Sequence, residues 1–374
     1  MWPGQTVRLP LFSLPSRKLI LRILYGETME KILKKSDLGK WVGKLSAFDC
    51  YAPTKENDHW EFNQVTYLDS LPEDYTQVNV PLKKVVLPNR EVLFNFEDNR
   101  NGGPHIQEVL PEEKEVVVFG VRGCDARGVA LLSKIFSESS PDIYFERRKN
   151  QLYVVGLSCY PLPGDNCFCL SVGGGPFSTQ GMDILLSDIG RKYFVEVLTP
   201  KGEKLVELGW EFFAEPNDQD RQDRLRREKK AQEMFNLEIH EAEKKAGVLH
   251  HLFEDKIWKT ESFRCLKCGI CTYLCPTCHC FDIADELASP VPLQGKRVRV
   301  WDTCQFPDFT MHSSGHNPRP DKSSRLRQRI MHKFLYFVET YGEIMCTGCG
   351  RCVSKCPVGI DIVNILNRVE SHEG

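Results

Sequence analysis

Eight of the 16 cysteines in this 374-residue chain fall into two runs of the same form. The first run, CLKCGICTYLCP, spans residues 265–276, and the second, CTGCGRCVSKCP, spans residues 346–357. Each run has three cysteines at two-residue gaps, followed by a fourth cysteine and a proline. Cysteine thiolates are soft ligands, which among biological metals select zinc or iron–sulfur clusters. The runs therefore predict a metal or redox centre rather than disulfides.

The spacing within the runs favours iron–sulfur clusters over zinc. Zinc usually takes its four ligands from CxxC pairs, whereas three closely spaced cysteines fit three irons of one [4Fe–4S] cluster. In bacterial two-cluster ferredoxins the fourth cysteine of each run binds the cluster of the other run. That rule predicts two clusters, one held by Cys265, Cys268, Cys271 and Cys356, the other by Cys346, Cys349, Cys352 and Cys275.

Four more cysteines follow predicted strands of an α/β lobe. The apolar run EVVVFG precedes Cys124, and the apolar run LYVVGL precedes Cys159. In the segment between these two runs, apolar residues recur at helical spacing. This order predicts parallel strands with a right-handed crossover, and ligands bind at the carboxyl edge of such sheets. Cys167 and Cys169 follow in the next loop. The four thiols are enough for a third [4Fe–4S] cluster; the alternative is four unconnected buried thiols.

The remaining cysteines carry weaker signals. Cys278, Cys280 and Cys304 are either ligands of a further centre, substitutes within the first two clusters, or buried thiols that pack beside a cluster. We favour packing, because each regular cluster already has four ligands. Cys50 stands alone, and a lone cysteine is usually a small buried hydrophobic residue.

The composition excludes several classes of protein. A hydrophobic content of 41% and a charged content of 27% are typical of a globular protein with a sizeable core. The net charge of −2 argues against a general nucleic-acid binder, and helicase and glycosylase motifs are absent. No apolar run reaches the roughly 18–20 residues of a membrane-spanning helix. Without a convincing secretion signal, the clustered cysteines predict a cytoplasmic and anaerobic setting.

The pattern along the chain predicts an α+β protein of several domains. Residues 1–28 are expected to lie outside the fold, with Met29 as an alternative start. Residues 29–215 form an α/β lobe with the candidate third site, and the charged segment 216–247 is a helical linker. Residues 248–374 form the two-cluster domain, with a long insertion between the runs.

Within the last domain, 70 residues separate Cys275 from Cys346, far more than in a compact ferredoxin. An α-helical ferredoxin-like domain is therefore favoured over the short ββα-repeat type. Asp282 is expected to cap a short helix, and residues 295–304 to form a strand. The basic segment 316–333 is either a solvated face or a docking surface for an acidic partner.

Several motifs outside the two runs occur in a fixed order: GVRGCDARG, DIYFERR, CYPLPGDNCFC, CPTCHCFD, WDTCQFPDFT and GHNPRPDKSSRLRQRIMHKFLYF. Together they resemble one family of 4Fe–4S dicluster electron-transfer proteins. This family comprises the iron–sulfur subunit of anaerobic sulfite reductase, the sulfhydrogenase (cytoplasmic hydrogenase) beta subunit, and iron–sulfur subunits of flavin oxidoreductase–heterodisulfide reductase systems. The resemblance implies an electron carrier whose partners are a flavin- and NAD(P)H-binding subunit and a terminal redox enzyme.

Two functions remain open at this point. The first is a relay subunit that is not catalytic alone, which fits the lack of a dinucleotide-binding fingerprint in the chain. The second is a self-contained iron–sulfur reductase, with an open iron or a reactive thiol near Cys124 or Cys304. We favour the relay.

Overall fold

The computed structural model describes residues 28–99, 103–138 and 140–369. The extension expected at residues 1–28 lies, except for its last residue, outside the described residues. The strands of the described residues are β1 (Met29–Lys34), β2 (Asp49–Glu56), β3 (His59–Gln64), β4 (Arg90–Asn99), β5 (Gly103–Glu108), β6 (Val116–Val121), β7 (Leu152–Leu157), β8 (Ile184–Asp188), β9 (Lys192–Val197), β10 (Phe213–Ala214), β11 (Phe281–Pro290) and β12 (Leu293–Trp301). Fully buried apolar segments form the centre of an eight-stranded sheet with the order β10-β1-β9-β8-β7-β6-β2-β3.

The helices are mostly short, and several begin at a side-chain cap. Thr199, Asn217, Asp321 and Asp361 each accept a hydrogen bond from a backbone N–H of the first turn. The α-helices are α1 (Leu38–Gly43), α2 (Lys83–Val86), α3 (Gly123–Phe136), α4 (Ile143–Gln151), α5 (Pro200–Glu207), α6 (Asp218–Gln232), α7 (Lys245–His251), α8 (Ile257–Glu261), α9 (Ile270–Tyr273), α10 (Lys322–Met331), α11 (Phe337–Tyr341), α12 (Arg351–Ser354) and α13 (Ile362–Arg368).

Single helical turns of other types complete the secondary structure. Residues His332–Tyr336 form a π-helical turn between α10 and α11. Short 3₁₀ turns span Lys35–Asp37, Cys169–Val172, Trp210–Phe212, Ala242–Lys244 and Asp308–Thr310. No helix in the described ranges is long and apolar enough to cross a membrane.

The large sheet confirms the predicted strand–helix–strand unit. Strands β6 and β7 are parallel, as are β2 with β6 and β7 with β8, while the remaining pairs of this sheet are antiparallel. Helix α3 begins at Gly123, directly after β6, so Cys124 lies in its first turn. Cys159 lies two residues beyond the end of β7. Both cysteines therefore lie at the carboxyl edge of parallel strands.

The insertion between the cysteine runs does not start with a helix. The prediction that Asp282 caps a short helix is wrong, because residues Phe281–Pro290 form strand β11. Strand β11 pairs with β12, and β12 pairs with β4, so a four-stranded antiparallel sheet joins residues 90–108 to residues 281–301. Strand β11 lies at the edge of this sheet, and its pairing with β12 overrides the local preference of the FDIADELA segment for helix.

Three apolar clusters form the core. Two cover the faces of the large sheet, and the third is formed mainly by residues of segments 239–258 and 326–369. This third apolar cluster joins Phe168 and Val172 of the α/β lobe to Leu326, Ile330 and Phe334. The loop that carries Cys167 and Cys169 is thus packed against the part of the chain that carries the second run.

Candidate metal centres

The two cysteine runs repeat one local backbone geometry. In each run, the second residue after the first cysteine has a positive φ: Lys267 at 59° and Gly348 at 64°. The backbone N–H of this residue donates a hydrogen bond to the sulfur of that first cysteine. A glycine after the second cysteine also has positive φ, and the short helices α9 and α12 begin directly after it. Hydrogen bonds to sulfur are one of the factors that set cluster potentials. The repeat in sequence is therefore also a repeat in structure.

The structure brings the four cysteines predicted for the first cluster into one cavity. Besides these thiols, the cavity is lined by Arg329 and by apolar side chains from α10 and α13. Cys352 of the second run reaches the same cavity. The four are Cys265, Cys268, Cys271 and Cys356, so the last cysteine of the second run does lie with the first three of the first run.

The thiol of Cys275 lies on the side of the second run. Its charge acts on Cys346 and on Cys349, and Cys352 acts on both of these as well. Burial raises the pKa of the Cys346 thiol to about 12 and that of Cys349 to about 11. Because iron binds thiolates, these cysteines release their protons when a metal binds.

The four cysteines of the candidate third site are neighbours in space, although three different segments carry them. The thiol charges of Cys159 and Cys349 act on each of Cys124, Cys167 and Cys169. The group therefore borders the second run at Cys349.

Tight backbone contacts hold the third group against the second run. Phe168 N–H donates to the carbonyl of Gly348 at 2.9 Å. A Cβ atom on Gly348 would lie 2.4 Å from Cα of Cys169, so only glycine fits at this contact. The side-chain amide of Gln77 donates to Cys124 Sγ at 3.4 Å and to the Cys349 carbonyl at 3.3 Å.

Sequence reasoning missed the ion pair that connects the two regions. Asp125 and Arg351 are 1% and 3% exposed, and two hydrogen bonds of 2.6 and 2.7 Å join the carboxylate to the guanidinium. Arg351 also donates to the carbonyl of Val78, and Arg127 donates to the carbonyl of Cys346. The motif residues around Cys124 thus anchor the second run. Only the long-range partners reveal this, since Asp125 and Arg351 are 226 residues apart.

The basic segment 316–333 differs from both expectations for it. Arg325, Arg329 and Lys333 are buried, so the segment is neither wholly solvated nor wholly a docking surface. Arg329 donates to the carbonyl of Cys271 at 2.8 Å, and Lys333 donates to Thr277 Oγ1 at 2.7 Å. In the described ranges, neither Arg329 nor Lys333 forms an ion pair with a carboxylate. The negative charges that act on them would be those of cysteine sulfurs, Cys271 and Cys352 for Arg329 and Cys275 and Cys278 for Lys333.

Iron–sulfur clusters suit these surroundings. Buried charges are normally paired, and clusters ligated by thiolates are anionic, so they balance Arg329 and Lys333. Within the described part of the chain seven buried side-chain donors have no partner, and three of them lie at the cysteine groups: Arg329 Nε at the first cavity, Thr347 Oγ1 next to Cys346, and Ser158 Oγ next to Cys159. Buried donors are normally satisfied, and cluster sulfurs can accept hydrogen bonds. Each cysteine group therefore has an adjacent donor available to a cluster.

Among the described residues, no three His, Cys, Asp or Glu side chains lie close enough together to hold a single metal ion. In a cubane cluster each cysteine binds a different iron, so the thiols need not converge on one point.

Comparison with known proteins identifies the family. Residues 264–360 match the 4Fe–4S dicluster domain, which implies two [4Fe–4S] clusters. Sulfhydrogenase 2 subunit beta of Pyrococcus furiosus is 34% identical over 330 residues, covering 88% of this chain and 93% of that protein. The chain belongs to the sulfhydrogenase beta-subunit family. The resemblance that the sequence motifs indicated is confirmed, and the chain is an iron–sulfur protein of electron transport.

Proposed function

We propose that this chain is the iron–sulfur relay subunit of a cytoplasmic hydrogenase-type complex. It passes electrons between a flavin- and NAD(P)H-binding subunit and a terminal redox enzyme of hydrogenase, sulfite reductase or heterodisulfide reductase type. The observation that carries the proposal is the order of the thiol groups in space. Cys352 of the second run reaches the cavity that Cys265, Cys268, Cys271 and Cys356 line. Cys349 of the same run borders the cysteine group at Cys124, so the second run lies between the other two cysteine groups. Such a series suits stepwise electron transfer.

The proposed ligands follow from the same arrangement. Cys265, Cys268, Cys271 and Cys356 hold one [4Fe–4S] cluster, and Cys346, Cys349, Cys352 and Cys275 hold the second. A third cluster is held by Cys124, Cys159, Cys167 and Cys169. Residues 248–374 are the α-helical ferredoxin-like domain, which the charged segment 216–247 connects to the 29–215 lobe. The short helices α9 and α12, each within a cysteine run, support this assignment.

The relay function predicts no turnover of its own. Purified anaerobically and supplied with reduced viologen, the chain alone is expected to take up electrons but to release no hydrogen and to reduce neither sulfite nor a disulfide. In the complete complex, a variant that lacks a cluster should block transfer from NAD(P)H. The same variant should leave viologen-driven activity of the terminal subunit unchanged. Steady turnover by the isolated chain would instead support the self-contained reductase.

The third cluster predicts an iron loss that is separate from the dicluster runs. Cys167 lies in a loop and is partly exposed, so its replacement by alanine should leave the fold intact. We expect Cys167→Ala to lose about four irons and four sulfides per chain while both dicluster EPR signals remain. Cys50→Ala, a buried thiol in β2 away from the other cysteines, is the control and should lose none. A wild-type total of about eight irons would contradict the third cluster.

A further inference from the structure

Three cysteines outside these groups meet at the open end of the β11–β12 hairpin. Cys280 directly precedes β11, and Cys304 follows β12 by three residues. The register pairs Phe281 with Trp301, and Asp302 N–H donates to the carbonyl of Cys280 at 3.0 Å. The hairpin therefore brings the thiols of Cys280 and Cys304 into hydrogen-bonding contact.

The third thiol joins this pair from the preceding turn. Cys278 lies two residues before Cys280, and its charge acts on the Cys280 thiol. On its other side Cys278 contacts Cys275, the proposed ligand of the second cluster. Cys304 is 9% exposed, and Gln305 Nε2 donates to its sulfur at 3.4 Å. The three sulfurs thus form one partly buried group that adjoins the proposed second cluster.

A buried lysine faces this group without a carboxylate partner. Lys83 on α2 is 3% exposed, and its ammonium donates to the carbonyls of Cys278 at 2.8 Å and Thr272 at 3.3 Å. The thiols whose charges act on it belong to Cys278, Cys275 and Cys280. In the described ranges, Lys83 forms no ion pair with Asp or Glu.

Two other buried cations of the fold are matched by carboxylates, whereas among the described residues Arg329 and Lys333 beside the cysteine runs are not. Arg299 bonds Glu91 and Asp142, and Arg351 bonds Asp125. Lysine is almost never fully buried unless it is paired, and the Lys83 ammonium contacts only two carbonyls and the Trp301 ring within the described residues, so its burial near three thiols favours negative charge at those thiols. Three neutral thiols would not supply that charge, whereas an iron–sulfur cluster bound by three thiolates would.

The helix opposite Lys83 is also irregular at this point. The π-helical turn His332–Tyr336 carries Lys333, whose ammonium donates to Thr277 Oγ1 between Cys275 and Cys278. Single π turns occur frequently at functional sites because they re-aim side chains. Two lysines from different elements therefore converge on the same stretch of backbone.

We propose that Cys278, Cys280 and Cys304 bind a further iron–sulfur cluster whose negative charge Lys83 and Lys333 balance. Three thiolates suit the three irons of a [3Fe–4S] cluster, or three of the four irons of a [4Fe–4S] cluster. The proposed ligands include none of the eight cysteines of the two runs and none of the group at Cys124, although Cys278 contacts Cys275 and the charge of Cys304 acts on Cys271. It does not depend on the relay function, because it concerns what the chain binds rather than which partners it serves.

The first test removes one ligand. Cys304→Ala, purified anaerobically, is expected to lose about three to four irons per chain while the EPR signals of both dicluster centres remain. Cys280→Ala should give the same loss, and the control Cys50→Ala should lose none. Unchanged iron in Cys304→Ala would overturn the proposal. Loss of the second run's cluster in Cys278→Ala would also overturn it, since Cys278 would then be a ligand of that cluster.

The second test leaves all thiols in place. Lys83→Met removes a positive charge beside the site, so one centre should become harder to reduce and its midpoint potential should fall, with the iron content unchanged. Lys84→Met is the matched control, since the Lys84 side chain is exposed on the same helix and should leave every potential unchanged. If Lys83→Met shifts no potential, or only that of a dicluster centre, the assignment of Lys83 to a further cluster is wrong.

Discussion

Replacing Cys275 by alanine is expected to remove the second run's cluster and to leave the cluster of its own run intact. Cys275 belongs to the first run in sequence, but its thiol lies beside Cys346 and Cys349. A cubane that loses one of its four thiolates is expected to be lost, so the iron content should fall by about four per chain. Iron and sulfide analysis with EPR of the dithionite-reduced protein measures this loss.

The reciprocal variant is Cys356→Ala. Because Cys356 lines the cavity with Cys265, Cys268 and Cys271, its loss should remove the first cluster and retain the second. Cys275→Ala should thus keep the EPR signal of the first cluster, and Cys356→Ala should keep that of the second. Loss of the first run's cluster in Cys275→Ala would contradict cross-ligation. Full retention of iron in Cys275→Ala would indicate that Cys278, which contacts Cys275, is the true ligand.

Replacing Asp125 by alanine is expected to destabilise the protein by about 3–5 kcal/mol, because it leaves the Arg351 guanidinium buried and unpaired. The Asp125 side chain is 0% exposed and that of Arg351 is 3% exposed. Arg351 lies in sequence between Cys349 and Cys352, two proposed ligands of the second run, so the variant should also loosen that run from the α/β lobe. Anaerobic urea unfolding, followed by circular dichroism and by the cluster absorbance, measures the effect.

An exposed ion pair offers the matched control. Asp285 and Arg297 form a similar two-bond pair in the hairpin, but their side chains are 42% and 44% exposed. Asp285→Ala should therefore change the stability by no more than about 1 kcal/mol. The double variant Asp125→Leu with Arg351→Met should recover much of the loss, since it removes both buried charges. Equal effects of Asp125→Ala and Asp285→Ala would contradict the role of the buried pair.

Local features of the sequence were sufficient where the chemistry is itself local. Each cysteine run places four proposed ligands within twelve residues, three of them for one cluster, and the same positive-φ turns recur in both runs. The buried runs of β6 and β7 were also predictable, because uninterrupted apolar residues in the centre of a parallel sheet need no distant partner to be recognised. The prediction that the four cysteines Cys124, Cys159, Cys167 and Cys169 lie close together followed from one topological rule about sheet edges.

The segment after Cys280 shows where such reasoning fails. Its Asp, Ala, Glu and Leu residues are common in helices, and Asp282 suits a helix cap. The segment is nevertheless a strand, because β12 offers it backbone hydrogen bonds along its length, and β12 pairs on its other side with β4. The pairing of β12 with β4 joins residues about 200 positions apart, so no local window contains the sheet at whose edge the segment lies.

By itself, then, the sequence determined which metals this protein selects and which cysteines share a run. Tertiary structure decided how the groups are connected. It buried Arg329, Lys333 and Lys83 beside thiols, joined Asp125 to Arg351, and closed the hairpin that unites Cys280 with Cys304. The physical reason is range: ligand type and spacing are properties of neighbouring residues, whereas charge balance in a buried site depends on every segment that the fold packs around it.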